Sequence, residues 1–212
     1  RSHSHCQSMR AVSQTATFTP AAPLAGSTGY TASASGAADP AGNVMVSTTW
    51  TFQTGGTCPC SLFSSDATPA VAAANDSGSV NLGMRLTPTV NGTVTAIRFY
   101  KDTGNTGTHV GSLWSSTGVE LATVTFTNET ASGWQVANLS TPVSLTAGTN
   151  YVVSYLAPNG RYSVTSSFFT QPYSSGPLQG LMGLYRYAAN SQYPTASFQS
   201  ANYWVDVVFN PS

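Results

Sequence analysis

Gly92-Thr93-Val94-Thr95-Ala96-Ile97-Arg98-Phe99-Tyr100-Lys101 reads as one β-strand, and that reading decides the fold. Side chains along a strand point alternately to opposite faces, so from Thr95 to Tyr100 the residues Ile97 and Phe99 share one face while Arg98 and Tyr100 share the other. The first pair belongs to a core. The same period recurs in Asn202-Tyr203-Trp204-Val205-Asp206-Val207-Val208-Phe209. There Tyr203, Val205, Val207 and Phe209 group inward, and Trp204 and Asp206 turn to the opposite, exposed side.

Outward from these two segments, strand patterns recur at 80–86, 93–100, 111–114, 121–126, 134–139, 151–156, 162–166 and 203–209, with Gly, Pro and Asn between them. The spacing predicts an all-β fold, an antiparallel β-sandwich of jelly-roll or Ig-like type over residues 58–212. Composition agrees. Of 212 residues, 41% are hydrophobic but only 7% are charged, against about 25% in an average soluble protein. One lysine, Lys101, and two glutamates, Glu120 and Glu129, leave helices almost nothing to turn toward water, whereas Thr, Val and aromatic side chains suit a pleated surface.

Net charge is zero and no basic cluster is present, which removes the electrostatic footprint of a nucleic-acid partner and of binding to an anionic membrane. No apolar run approaches the ~20 residues that insert across a bilayer, and no signal peptide is visible at the start. A chain poor in charge and rich in Ser and Thr is expected to be secreted or at the cell surface, its export signal lying upstream. Cys6, Cys58 and Cys60 cannot all pair within one chain. A Cys58 to Cys60 ring, a bond from one of them to Cys6, and a free thiol all stay open. Zinc is the weaker reading, since two thiolates one residue apart lack a second ligand pair.

Residues 1–10 are polar and read as tag or linker. Arg1-Ser2-His3 offers an amine, two amides and an imidazole to Cu(II), but linker is the simpler reading. Residues 11–54 hold strand candidates at 15–19, 30–34 and 48–52, with Ala38-Asp39-Pro40-Ala41-Gly42-Asn43 as a turn cluster. Ala16-Thr17-Phe18-Thr19-Pro20, Pro23-Leu24-Ala25, Tyr30-Thr31-Ala32 and Trp50-Thr51-Phe52 together resemble the C-terminal half of a bacterial Ig-like repeat. The resemblance implies a half-sandwich that packs on its neighbour or on another copy, because an unpaired sheet edge invites association. Thr54-Gly55-Gly56-Thr57 marks the boundary.

Beyond it, the stretch 92–101 together with Gly104-Asn105-Thr106-Gly107-Thr108-His109-Val110-Gly111-Ser112-Leu113-Trp114 resembles an actinobacterial surface-protein domain of unknown function, DUF4082. Ala131-Ser132-Gly133-Trp134-Gln135, Ala147-Gly148-Thr149-Asn150-Tyr151, Ala157-Pro158-Asn159-Gly160 and the stretch 202–209 extend the likeness over residues 58–210, with Cys58-Pro59-Cys60 as its lead-in. It implies an extracellular accessory domain beside Ig-like repeats, expected to bind glycans. The family pattern carries histidine near 156 and 161, where this chain has Leu156 and Arg161, so no imidazole chemistry is implied there.

An indole offers a flat apolar surface and a carboxylate accepts hydrogen bonds, and a sugar presents both an apolar face and hydroxyls. Trp204 beside Asp206 is therefore the sharpest candidate site. Trp114 and Tyr100 extend the expected stacking platform, and Lys101, His109 and Arg161 supply further polar contacts. The structural alternative places Trp204 beneath a loop and pairs Asp206 with Arg98.

The polar loop from Lys101 to His109 sits between two strong strands, where function often resides. Asp102 and Asn105 could offer oxygens to calcium, but too few carboxylates accompany them, and an Asx-turn at Asp102 is the better reading. No cofactor is expected. Asn159-Gly160 signals a hairpin between 151–157 and 162–166. Residues 168–198, rich in Tyr, Gly and Pro, form either one wall of a site or a covering loop.

Catalytic signatures are absent: no Gly-x-Ser-x-Gly, no His-Glu-x-x-His, and only His109 beyond residue 58. Glu120, Glu129, Asp102 and Asp206 are the acids open to glycoside hydrolysis, but their spacing selects no pair. The reading is a module that binds polysaccharide or cell-surface glycan. A hydrolase of an extracellular polymer or ester and a structural spacer are the alternatives.

Overall fold

The computed structural model describes residues 19–20, 24, 29–54 and 58–212, and the chain forms two compact units that divide between residues 57 and 58. The strand expected at 15–19 apart from Thr19, the linker and copper readings of 1–10, the pairing of Cys6, and residues 55–57 of the boundary lie outside the described residues.

In the first unit, β1 (Gly29–Ala34) and β2 (Thr48–Gln53) pair antiparallel, with Tyr30 opposite Phe52 and Ala32 opposite Trp50. The Tyr30 and Phe52 rings stack at 5.8 Å. Asp39 organises the intervening turn: its Oδ1 accepts the backbone N–H groups of Ala41 and Asn43, each at 2.9 Å. This is the local side-chain bonding that makes Asp a turn former.

The second unit contains β3 (Val80–Pro88), β4 (Gly92–Lys101), β5 (Val110–Ser115), β6 (Glu120–Thr125), β7 (Gly133–Leu145), β8 (Tyr151–Ala157), β9 (Tyr173–Ser175), β10 (Leu178–Tyr187) and β11 (Val205–Pro211). A six-stranded sheet runs β6-β5-β8-β3-β10-β9 and a three-stranded sheet runs β11-β4-β7. Every pairing is antiparallel. The chain is all-β in a sandwich-like arrangement, as the spacing predicts. Ile97 and Phe99 on β4 and Val205, Val207 and Phe209 on β11 are all sealed in the core. Phe99 stacks on Tyr155 of β8 at 4.3 Å, joining the two sheets.

Tyr151–Ala157 is buried along its whole length, because the outer face of the large sheet is also covered. Asn81 holds that cover: its Nδ2 donates to the Asn190 carbonyl and its Oδ1 accepts from the Gln192 N–H, both at 3.0 Å. A buried polar group matched in this way avoids the cost of an unmade hydrogen bond.

Two stretches differ from the sequence reading. Residues 162–166 form no strand and make only isolated bridges, Val164 to Val71 and Thr165 to Asn202. Arg161 has φ 52°, which turns the chain out of line after Gly160, so Asn159-Gly160 closes a turn onto Ala157 and no hairpin. Its expected partner strand is replaced by β3 and β5, which flank β8. Conversely, β9 and β10 lie within the Tyr-, Gly- and Pro-rich residues 168–198, where the sequence reading places no strand. Gly180 and Gly183 erase the alternation, and a bulge between Gly180 and Met182 shifts it. Both glycines are required by close approach: a Cβ at Gly180 would lie 2.6 Å from Leu62 Cδ2, and one at Gly183 would collide with the Ala201 carbonyl.

Cys58 and Cys60 are joined in a disulfide, so of the alternatives open in the sequence neither the free thiol nor the bond to Cys6 applies to either. Cys60 also bridges Phe209 at the end of β11, which seats the lead-in segment on the small sheet.

Candidate functional site

The exposed indole and carboxylate expected at the last strand do not form. Trp204 is 4% exposed and Asp206 0%. Trp204, with φ 56°, precedes the strand, and residues 61–63 run over the face that Asp206 occupies. Five donors converge on that carboxylate: the N–H groups of Leu62 (3.1 Å), Phe63 (3.0 Å) and Val207 (2.8 Å), and Nε (3.2 Å) and Nη2 (2.8 Å) of Arg98. Burial raises the Asp206 carboxyl above its ordinary value, against the opposing pull of the Arg98 charge and the Phe63 N–H, yet five donors converge on it, which is the environment of a carboxylate in its ionised form. The pairing with Arg98 is the structural alternative weighed above.

Arg98 also donates to the Phe63 carbonyl, and its guanidinium lies 4.1 Å over the Trp134 ring, a desolvated cation–π contact. Trp204 packs at 5.3 Å from Phe63 and 6.0 Å from Trp134, and its Nε1 donates to Thr165 Oγ1 at 2.9 Å. Tyr100 is half-buried, edge-on to both indoles. Trp114 belongs to a different cluster, buried with Val152 and Leu184, its Nε1 donating to Ser154 Oγ at 2.8 Å. The expected platform of Trp204, Trp114 and Tyr100 is therefore not assembled, since alternation says which residues share a face and not whether the face is covered.

Lys101 and His109 are likewise sealed rather than presented to a ligand. Lys101 Nζ donates to Glu129 Oε2 at 2.8 Å. His109, 0% exposed, has Nδ1 at 2.8 Å from Glu129 Oε1 and Nε2 at 2.9 Å from the Asn105 side chain. Burial lowers the His109 pKa, outweighing the Glu129 carboxylate that raises it. Asn105 Oδ1 is the atom that faces Nε2, while Asn105 Nδ2 and Tyr155 Oη are buried without a hydrogen-bond partner among the described residues. Asp102 makes its expected turn, accepting from the Gly104 N–H at 3.2 Å.

Arg161 is exposed, and it leads to a site the sequence reading missed. Its N–H donates to the Asp76 carbonyl at 2.7 Å, and its Nη1 donates to Asn75 Oδ1 at 3.0 Å. Beside it, Tyr162, Tyr185, Tyr187, Phe198 and Tyr203 line a cavity of about 220 Å³. The rings stand nearly at right angles: 77° between Tyr162 and Tyr203, 65° between Tyr185 and Tyr203, 79° between Tyr185 and Tyr187. Such angles make walls rather than a flat strip. Tyr187 and Phe198 are 56% and 57% exposed and form the rim.

Local sequence explains the assembly. Tyr185 and Tyr187 alternate on β10 and so share a face, and Ala196 bridges back to Tyr185, which brings Phe198 alongside. Gly160, at φ 63°, lets the turn settle on Asp76, whose carbonyl a Cβ there would strike. Asp76 Oδ2 then accepts from the Tyr162 hydroxyl at 3.3 Å and the Tyr187 hydroxyl at 2.5 Å, and Oδ1 from the Gly78 N–H at 2.9 Å. Burial raises this carboxyl, but Tyr187, Gly78, Tyr162 and the Arg161 charge together bring it below its ordinary value. The reciprocal effect pushes Tyr187 up to about 12, through its bond to Asp76 and then burial. Burial first, then the Asp76 charge, raises Tyr162. Both phenols stay protonated and donate to an ionised acid.

Tyr185, Tyr187 and Phe198 come from the Tyr-rich stretch 168–198, read above as site wall or cover. The Tyr-x-Tyr pair was its available signal. Among the described residues, no group of three or more His, Cys, Asp or Glu side chains is placed to hold a metal ion, and no helix is long and apolar enough to cross a membrane.

Residues 66–205 match the family described as domain of unknown function (DUF4082), and residues 3–54 match the family described as bacterial Ig-like domain. No curated protein and no solved structure matches the chain.

Proposed function

The chain belongs to the DUF4082 family, and from that premise we propose that its larger unit is a carbohydrate-binding accessory module, the sugar entering the tyrosine-walled cavity. An Ig-like domain joined to this one makes the chain a cell-surface module. The finer reading rests on one observation: five aromatic residues line one cavity, and the hydroxyls of two of them, Tyr162 and Tyr187, are held by an ionised acid, Asp76. Sugar-binding surfaces combine these elements, ring faces for the apolar side of a pyranose and fixed hydrogen-bonding atoms for its hydroxyls. At about 220 Å³ the cavity falls below the ~300–1,000 Å³ of sites for drug-sized ligands. It suits one terminal sugar residue rather than a long chain.

A spacer would have no use for such a cluster. Single exposed aromatics are ordinary on protein surfaces, but a contiguous group around a cavity is the pattern of a binding site. Of the groups weighed for hydrolysis, His109 is sealed against Glu129 and Asn105, Asp206 is engaged by Arg98, and neither lines the tyrosine cavity.

Affinity electrophoresis of the full chain against plant and microbial polysaccharides tests the reading. Retardation by at least one of them is expected, reduced in Tyr187→Ala and Phe198→Ala and preserved in Tyr100→Phe. Unretarded migration on every polysaccharide would overturn it.

A further inference from the structure

We infer that the sugar taken by the tyrosine cavity carries a free ammonium group, making the ligand class an amino sugar rather than a neutral or acidic one. This deepens the carbohydrate reading above and rests on it. The argument is an inventory of donors and acceptors. The hydroxyl hydrogens of Tyr162 and Tyr187 both point to Asp76 Oδ2, so at that end of the cavity the two phenol oxygens face a ligand with lone pairs only.

Asp76 is ionised behind them, and its charge polarises both oxygens. The ring faces add the negative side of their quadrupoles, which attract an ammonium within about 6 Å of a ring centroid. Arg161 is the smallest of the influences that lower the Asp76 carboxyl; it is exposed to water, which screens its charge, and it does not line the cavity. A carboxylated sugar would meet acceptors and ring faces of its own sign. An N-acetylated sugar would lose the charge-assisted bond and add bulk in a cavity sized for one residue. An ammonium satisfies the acceptor pair while the apolar sugar face lies on a perpendicular ring.

The matched probes are the β-1,4-linked disaccharide of glucosamine and its di-N-acetylated form, which share one backbone and differ in charge. Titration calorimetry of the full chain at about pH 6, where an alkylammonium of this type is charged, should give tighter binding of the free amine by about tenfold or more, the scale of one charge-assisted hydrogen bond. Asp76→Asn should bring the two affinities within about threefold. Tyr187→Phe, which keeps the ring and removes the oxygen, should narrow the gap without altering the fold, and it serves if Asp76→Asn fails to fold. Equal affinities for the two disaccharides, or retention of neutral sugars alone, would overturn this inference and leave the carbohydrate reading standing. Binding of no saccharide of any charge would remove both.

Discussion

Arg98 and Asp206 stand opposite each other on adjacent strands and close a 2.8 Å ion pair with side-chain exposures of 8% and 0%. The pair ties three pieces of chain together, because the same carboxylate holds the N–H groups of Leu62 and Phe63 in the lead-in segment. Breaking a buried pair by deleting one partner leaves a charge without compensation, a loss of about 3–5 kcal/mol. Arg98→Met should lower the unfolding free energy by that amount in urea denaturation. A change below about 1 kcal/mol would show that the pair is not desolvated as described.

Trp204 is a core residue here, packed among Phe63, Trp134 and Phe168. Truncating a buried large aromatic costs about 3–5 kcal/mol. Trp204→Ala should therefore destabilise the second unit strongly by thermal or chemical denaturation, whereas Phe198→Ala, at an exposed rim, should shift it by no more than about 0.5 kcal/mol. The reverse order would return Trp204 to the surface.

The His109 imidazole is held below its ordinary 6.5 by burial, against the pull of Glu129. The unfolded chain takes up a proton as pH falls past about 6.5 while the folded ring stays neutral, so stability from this site is full above that pH and lost below it. Between about pH 7.5 and 5.5, wild type should lose more unfolding free energy than His109→Gln, by at most about 1.4 kcal/mol per pH unit. Superimposable pH profiles would contradict the sealed network, as would a ring titrating above 6.5 by NMR.

Gly160 couples the turn after β8 to the acid behind the cavity. Gly160→Ala places a Cβ against the Asp76 carbonyl in a left-handed conformation that L side chains disfavour. It should destabilise by about 1–3 kcal/mol and weaken saccharide binding even though Gly160 does not line the cavity. Unchanged affinity would separate Asp76 from the site.

Much of the fold was legible because its strands carry their period openly: Ile97 and Phe99, and Tyr203, Val205, Val207 and Phe209, all lie in the core they were grouped into. What covers a sheet was not legible. Trp204 and Asp206 share the side the alternation gives them, yet Leu62 and Phe63, more than 140 residues earlier, close over it. β10 was hidden for the opposite reason, since Gly180 and Gly183 answer to neighbours remote in sequence and so break the local pattern. The cavity escaped notice because Asp76 meets Tyr187 across 111 residues, a juxtaposition that no local spacing encodes. Arg161 was the one candidate residue standing next to it.

The central claim is that a sugar enters between Tyr162, Tyr185, Tyr187 and Phe198. Chemical-shift mapping of the isotopically labelled full chain during titration with glucosamine disaccharide tests it most directly. Perturbations centred on those four residues and Asp76 are predicted. Perturbations centred instead on Tyr100, Trp134 and Tyr173, or none at saturating concentrations of both this disaccharide and its di-N-acetylated form, would contradict it.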